Sequence, residues 1–161
     1  MANKNTKTNV ARLLDAQKIP YQLVPYPVDE NNLAATHIAQ TLNEDIAQVF
    51  KTLVLRGDRT GVLVCVIPGD REVDLKKIAR LSGNKKAEMI AVKELLPLTG
   101  YIRGGCSPIG MKKPYPTWIH DTCRHFPYIY VSAGIRGLQL KINPEDLIRS
   151  IGASLADLIK E

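Results

Sequence analysis

Val49-Phe50-Lys51-Thr52-Leu53-Val54-Leu55 and Val62-Leu63-Val64-Cys65-Val66-Ile67-Pro68 are two apolar runs joined through Gly57-Asp58-Arg59-Thr60-Gly61. β-Branched and aromatic residues bounded by turn formers predict a hairpin with a loop of about five residues. The second run is apolar at every position, so both of its faces must be covered, as in a central strand. Alternation in the first run puts Lys51 on the face of Val49, Leu53 and Leu55. Two readings follow for such a lysine. Its stem packs while the ammonium reaches water at the open end of the sheet, or it is partly buried and holds a phosphate or polarises a carbonyl.

Outward from this hairpin, helix and strand patterns alternate irregularly. A helix is expected from about Thr8 to Gln17, with Val10, Leu13 and Leu14 on one face, and then a strand from Tyr21 to Tyr26. A second helix spans Leu33 to Leu42, followed by a helical turn near Glu44 to Gln48. Beyond the hairpin, Asp74 caps a helix to Leu81 that Gly83 closes. A short strand at Lys86 to Ile90 and a short helix at Ala91 to Leu96 come next, then a strand at Thr117 to His120. Tyr128 to Ser132 and Gly137 to Ile142 pair around Ala133-Gly134-Ile135-Arg136. Asn143-Pro144-Glu145-Asp146 opens the last helix, with a cap, a proline at the first helical position and acids in the first turn. Strands that cluster in hairpins predict an α+β class: a single domain over residues 1–161 with a mixed, barrel-like β-sheet flanked by helices.

Composition narrows the function classes. With 161 residues, 45% apolar and 24% charged, the chain has the make-up of a soluble globular domain. No apolar run nears the about 18 residues of a membrane span, so no membrane association is expected. Three widely spaced cysteines, Cys65, Cys106 and Cys123, argue against a disulfide framework and for a reducing, cytoplasmic setting. The net charge is +6. Basic residues recur at Lys76, Lys77, Arg80, Lys85 and Lys86, and again at Arg103, Lys112, Lys113 and Arg124. Such an excess fits a polyanionic partner, nucleic acid first, or a solubilising surface.

The most distinctive loop is Gly104-Gly105-Cys106-Ser107-Pro108-Ile109-Gly110, followed by Met111-Lys112-Lys113. Glycines leave backbone amides uncovered, so its N–H groups are candidates to face an anion or a carbonyl oxygen. Gly105 and Gly110 have the spacing of a phosphate-binding loop, but Met111 stands where that motif needs lysine. Ser107 follows Gly105 as in a nucleophile elbow, yet the closing glycine comes one residue late, and no Asp/His set accompanies it. Cys106 reads as a small apolar filler rather than a nucleophile. His120-Asp121-Thr122-Cys123-Arg124-His125 offers ligand types without the second cluster a structural zinc site uses, so neither metal nor cofactor is expected. The carboxylates supply no general acid/base pair.

Taken in order, Val49-Phe50-Lys51-Thr52-Leu53, Asp74-Leu75-Lys76-Lys77-Ile78-Ala79, Gly100-Tyr101 with the glycine loop, and Tyr128 through Leu138 resemble the YbaK/EbsC family. The match runs along nearly the whole chain. It implies a free-standing editing enzyme related to the domain inserted in bacterial prolyl-tRNA synthetases, one that hydrolyses cysteine mischarged onto proline tRNA. Such editing answers a physical need, since a pocket cannot strongly reject a competitor of similar size by binding alone.

By the resemblance, Lys51 is the catalytic residue, and Tyr26, Thr52, Gly104, Gly105, Ser107, Pro108, Ser132 and Gly134 form the aminoacyl-adenosine pocket. The family's proposed mechanism is substrate-assisted: the cysteine thiol attacks its own ester. The implied partners are the 3′ end of aminoacylated proline tRNA and prolyl-tRNA synthetase. Two positions depart from the family pattern. Leu33-Ala34-Ala35 stands where an aromatic residue is common, and Gln139 where an acid is common. The alternatives are removal of alanine from proline tRNA, and a non-catalytic module that binds RNA or a synthetase.

Overall fold

The computed structural model describes residues 7–161. The central hairpin forms as β2 (Phe50–Gly57) and β3 (Gly61–Pro68), antiparallel with Lys51 opposite Ile67. Because Gly57 pairs with Gly61, the loop is three residues, Asp58-Arg59-Thr60, and not about five. The strands run further toward the turn than their apolar residues indicate, because Arg56 and Gly57 also pair with Glu88 and Ala87 of β4 (Ala87–Met89). Asn84 then plugs the loop: its side-chain oxygen accepts the N–H groups of Arg59 and Thr60 at 2.8 and 2.9 Å.

β3 is covered on both faces, as its composition requires. Val64 and Val66 join a core cluster with α1 (Asn9–Ala16), β5 (Thr117–His120), β6 (Ile129–Ser132), β7 (Leu138–Ile142) and α5 (Pro144–Ile151). Leu63, Cys65 and Ile67 join a second with Ile78 and Ala79 of α3 (Leu75–Ser82). Burying a leucine- or isoleucine-sized side chain stabilises by about 1.5–3 kcal/mol. Their places are thus set by water exclusion from two sides. The helices start where the sequence provides caps: Asp74 accepts the N–H groups of Lys76 and Lys77, and Asn143 those of Glu145 and Asp146.

The strands form two sheets, ordered β4-β2-β3-β5-β8 and β1-β7-β6, with β1 at Gln22–Pro25 and β8 at Ser154–Ala156. β3–β5 and β5–β8 are parallel and the other pairs antiparallel, so the topology is mixed α+β. The sheets do not close into a continuous barrel; an isolated bridge between Val49 and Tyr130 links them. β8 and a 3₁₀ turn at Asp121–His125 have no predicted counterpart, because Ser154-Leu155-Ala156 is too short to show a period. α2 (Ala35–Leu42) packs Ile38 and Ala39 on Val49 and Tyr130, and so sits over the junction of the sheets. α4 (Val92–Thr99) leads into the glycine loop. No helix among the described residues is long and apolar enough to cross a membrane.

Candidate active site

The site arises from how one edge of β2 is shared. Its β3 edge is paired throughout, and Gly69 continues that ladder by donating to the Val49 carbonyl at 2.8 Å. On the opposite edge, β6 touches only at Val49 and β4 pairs only from Leu55 onward. Between them the edge at Lys51, Thr52 and Leu53 is left open. Antiparallel alternation turns the Thr52 backbone N–H and C=O toward that opening, in step with Val54, whose carbonyl accepts from Ile90 at 3.2 Å.

The opening is a cavity of about 430 Å³, within the size range of small-molecule sites. Its walls are the β2 edge, the Asn31–Ala35 entry to α2, Arg103, Gly104 and Cys106 of the glycine loop, and Ser132 and Gln139 from β6 and β7. Of the sequence-predicted residues, it brings together Lys51, Thr52, Gly104 and Ser132.

The others lie elsewhere. Tyr26 packs with Val24 beside the Ile38–Tyr130 cluster. Gly105 is buried behind Gly104, where an added Cβ would come within 3.2 Å of the Ile135 and Arg136 backbone. Only glycine lets these two loops approach so closely. Ser107 is fully buried and its Oγ accepts the Ile109 N–H at 3.2 Å, while Pro108 faces a separate depression beside Tyr115. Gly134 borders a larger, mainly apolar cavity of about 770 Å³ next to Tyr101 and Leu23. Its N–H is held by Ser132 Oγ at 3.1 Å.

Part of the glycine loop's amide set is already occupied, at Gly105 and Ile109. The Gly105 N–H donates to the Ile102 carbonyl at 2.9 Å, and the Tyr101 hydroxyl donates to the Ile109 carbonyl. These bonds stiffen the loop and use the Gly105 N–H and the Ile109 carbonyl internally. What it contributes to the cavity is a close wall at Gly104, against which Leu33 packs, and the Arg103 side chain. Arg136 braces that wall, its Nε donating to the Arg103 carbonyl at 2.8 Å.

Electrostatically the site is cationic. Burial pushes the Lys51 ammonium below its usual pKa range, with Glu72 and Asp70 opposing the shift through space. Glu72 is itself paired with Lys160 at 3.2 Å, so Lys51 keeps its donors for the cavity. Among the described residues, none of those lining the cavity is Asp or Glu. The Cys106 thiol is pushed up to about 12, chiefly by burial, which keeps it protonated and un-nucleophilic at neutral pH. Thr52 and Gln139 belong to the lining, but their Oγ1 and Oε1 atoms are buried away from its open space and have no hydrogen-bond partner among the described residues.

Sequence reasoning did not place Arg103 or Asn32 in a site. Arg103 immediately precedes Gly104 and was legible only as part of a basic cluster. Gln139 was legible, with Leu33-Ala34-Ala35, only as a departure from the family pattern, and both line the cavity. Of the basic residues in the sequence clusters, Lys77 and Arg124 are used in ion pairs with Asp157 and Glu145.

Comparison with known proteins identifies the family. Residues 29–150 match the model of the aminoacyl-tRNA editing domain. The chain is 45% identical, over 98% of its length and 98% of the relative's, to a protein of Enterococcus faecalis named "Putative Cys-tRNA(Pro)/Cys-tRNA(Cys) deacylase EbsC". It is 33% identical over 47% of its length to 13% of a proline–tRNA ligase of Thermosipho africanus. Among solved structures, one described as a putative trans-editing enzyme for prolyl tRNA synthetase superposes with a TM-score of 0.83, at 25% identity over 97% of this chain and 100% of that one. The match to the domain model and the near full-length identity leave one conclusion: this chain belongs to the aminoacyl-tRNA editing domain family, in its YbaK/EbsC branch.

Proposed function

We propose that the protein is a free-standing aminoacyl-tRNA deacylase that removes cysteine from mischarged proline tRNA. The observation that carries this reading is a cavity holding one partly buried lysine, Lys51, without a carboxylate in its lining or a reactive protein thiol. Such a cavity can bind and polarise an ester but offers no side chain suited to activate an attacking water. The nucleophile must then come with the substrate, and cysteine brings one.

The substrate's thiol sulfur bonds to its own ester carbonyl carbon. The bond from that carbon to the ribose oxygen breaks, the thiol proton ends on the released tRNA hydroxyl, and a cyclic thiolactone departs for water to open. Lys51 donates to the carbonyl oxygen as negative charge builds there, a role worth about 2.7–4 kcal/mol for one oxyanion donor. Gly104, Thr52 and Ser132 hold the ester in reach of the thiol. Gly105 backs Gly104, and the Gly134 N–H fixes Ser132 Oγ. Kinship with a relative named for two cysteinyl-tRNAs, and with part of a proline–tRNA ligase, supports a site that reads the amino acid while prolyl-tRNA synthetase supplies the tRNA. A cytoplasmic setting, where aminoacylation takes place, fits this reading.

The test is a panel of preformed Cys-tRNA(Pro), Ala-tRNA(Pro) and Cys-tRNA(Cys) with enzyme at catalytic levels, with and without prolyl-tRNA synthetase. Multiple turnovers on the cysteinyl substrates are expected, with the synthetase favouring proline tRNA. Activity on Ala-tRNA(Pro) alone would overturn the thiol mechanism. Binding without release of any amino acid would make the protein a non-catalytic module.

A further inference from the structure

We propose that Arg103 and Arg136 form a phosphate clamp at the rim of the cavity, gripping the diester that joins the RNA's terminal adenosine to the nucleotide before it. This rests on the deacylase reading above and deepens it, because the ligand becomes an RNA end rather than an aminoacyl-nucleoside. Arg103 is exposed and lines the cavity, so its side chain stands at the opening. Arg136, from the turn between β6 and β7, is fastened beside it: its Nε donates to the Arg103 carbonyl at 2.8 Å. Its Nη nitrogens have no acceptor among the described residues.

The backbone brings these two cations together. Gly104 has a φ of +87°, and a Cβ there would come within 3.2 Å of Arg136 Nε and 3.3 Å of the Leu33 side chain. Glycine therefore lets the Arg136 guanidinium lie against the cavity wall. Two like charges held on adjoining loops repel, and an anion shared between them turns that repulsion into attraction.

Arginines elsewhere are treated differently. Arg56, Arg124 and Arg149 are neutralised by Glu94, Glu145 and Asp146. Arg12, Arg59, Arg71 and Arg80 have no carboxylate partner among the described residues, but none of them lines the cavity. Arg103 and Arg136 likewise have no carboxylate partner among the described residues, and they sit at its mouth. Asp29, beside the Asn31–Ala35 wall, accepts the Asn31 N–H at 3.0 Å instead of pairing with either.

The ligand's own chemistry puts a phosphate here. A cavity of about 430 Å³ is near the lower end of the about 300–1,000 Å³ range of ligand sites. It has room for little more than an aminoacyl-nucleoside, so the rest of the RNA leaves across the rim. The ester and the 5′ phosphate hang from one ribose. With the ester at Lys51, the phosphate emerges at the opening, where guanidinium forks match its oxygens in pairs.

The test compares two hydrolysis-resistant probes by calorimetry. One is cytidylyl-(3′,5′)-3′-serylamido-3′-deoxyadenosine with its natural phosphodiester, and the other has an uncharged methylphosphonate link in its place. The diester should bind about tenfold tighter or more, as expected for one charge-assisted contact. Arg103→Gln and Arg136→Gln should each shrink that ratio, and the double variant should bring it close to one. Because the ratio is internal to each variant, a general loss of affinity does not imitate the effect. If loss of the Arg136 brace unfolds the protein, the wild-type ratio and Arg103→Gln decide.

Equal binding of the two probes by the wild type would overturn the clamp. A ratio that both variants leave intact would do the same, since the phosphate would then be held elsewhere. If those variants also lose their response to prolyl-tRNA synthetase, the pair docks an acidic protein surface instead. Failure of both probes to bind would likewise sink the clamp. In each of these cases, wild-type turnover on Cys-tRNA(Pro) keeps the deacylase reading standing. Conversely, a ratio that depends on the arginines, with no turnover on any aminoacyl-tRNA, would remove the deacylase reading and leave the clamp in place.

Discussion

Asn84 and Gln139 are both amide side chains buried to nearly the same degree, at 8% and 3% exposure, but they are treated in opposite ways. Asn84 is saturated. Its oxygen accepts from Arg59 and Thr60, and its nitrogen donates to Thr60 Oγ1 and Ser82 Oγ at 2.8 and 2.7 Å. Gln139 Oε1 has no partner among the described residues. A saturated buried amide locks a turn, whereas an unsatisfied one costs about 1–3 kcal/mol of stability. The two amides thus separate a turn locked by its hydrogen bonds from a cavity wall in which one buried oxygen has no partner among the described residues.

The largest effect should come from the binding side. Lys51→Ala should lower deacylation of Cys-tRNA(Pro) by at least about 100-fold, with an unchanged urea midpoint, since the residue forms one wall of a cavity. Full activity in that variant, with its fold intact, would remove Lys51 from the chemistry. Next, Asn84→Ala should destabilise by about 2–3 kcal/mol, because the Arg59 and Thr60 N–H groups lose their acceptor. Its turnover at low temperature should survive. Gly57→Ala tests the same turn from the other strand, since an added Cβ would fall 2.1 Å from the Asn84 side chain.

Gln139→Met should do the reverse of Asn84→Ala. Removing an unsatisfied acceptor while keeping the volume should raise stability by about 1 kcal/mol and weaken turnover. A variant that melts early would mean that Gln139 is structural after all, and the contrast between the two amides would collapse.

A smaller effect concerns His120. Burial lowers its pKa, against the pull of Asp121 and Asp157, and its Nδ1 accepts the Leu158 N–H at 3.1 Å. The unfolded chain therefore binds a proton more readily, at the ordinary value of about 6.5. Stability from this site is full above that pH and is lost as pH falls toward the lower folded value. Melting temperatures between pH 7 and pH 5 should fall more steeply for the wild type than for His120→Gln. Smallest of all, Cys106→Ala should reduce turnover by less than about tenfold, because a thiol held protonated supplies no nucleophile. A dead Cys106→Ala enzyme would give the thiol a role in the reaction.

Much of the architecture was legible before any coordinates. The β2–β3 hairpin, the caps at Asp74 and Asn143, and the two-sided burial of Val62 to Ile67 all follow from local pattern. Lys51 stood out because a lone cation interrupts an apolar strand face. The glycine loop misled in part: its amides look free in sequence, but the Gly105 and Ile109 N–H groups are taken by the Ile102 carbonyl and the Ser107 hydroxyl. Pro108 and Gly134, close in sequence to cavity residues, face other surfaces. β8 escaped notice because three residues carry no period, and it forms only where β5 offers an edge.

Sequence alone determined the class of fold, the order of its elements apart from β8 and the 3₁₀ turn, and the choice of Lys51 as a candidate. These depend on side-chain period, turn chemistry and capping, which are local. Tertiary structure alone decided that β6 and β4 leave the edge of β2 open between them, and that Gln139 Oε1 and Thr52 Oγ1 are buried without a partner among the described residues. Whether a buried polar atom is satisfied depends on groups distant in sequence that converge on it, and no local pattern contains that information.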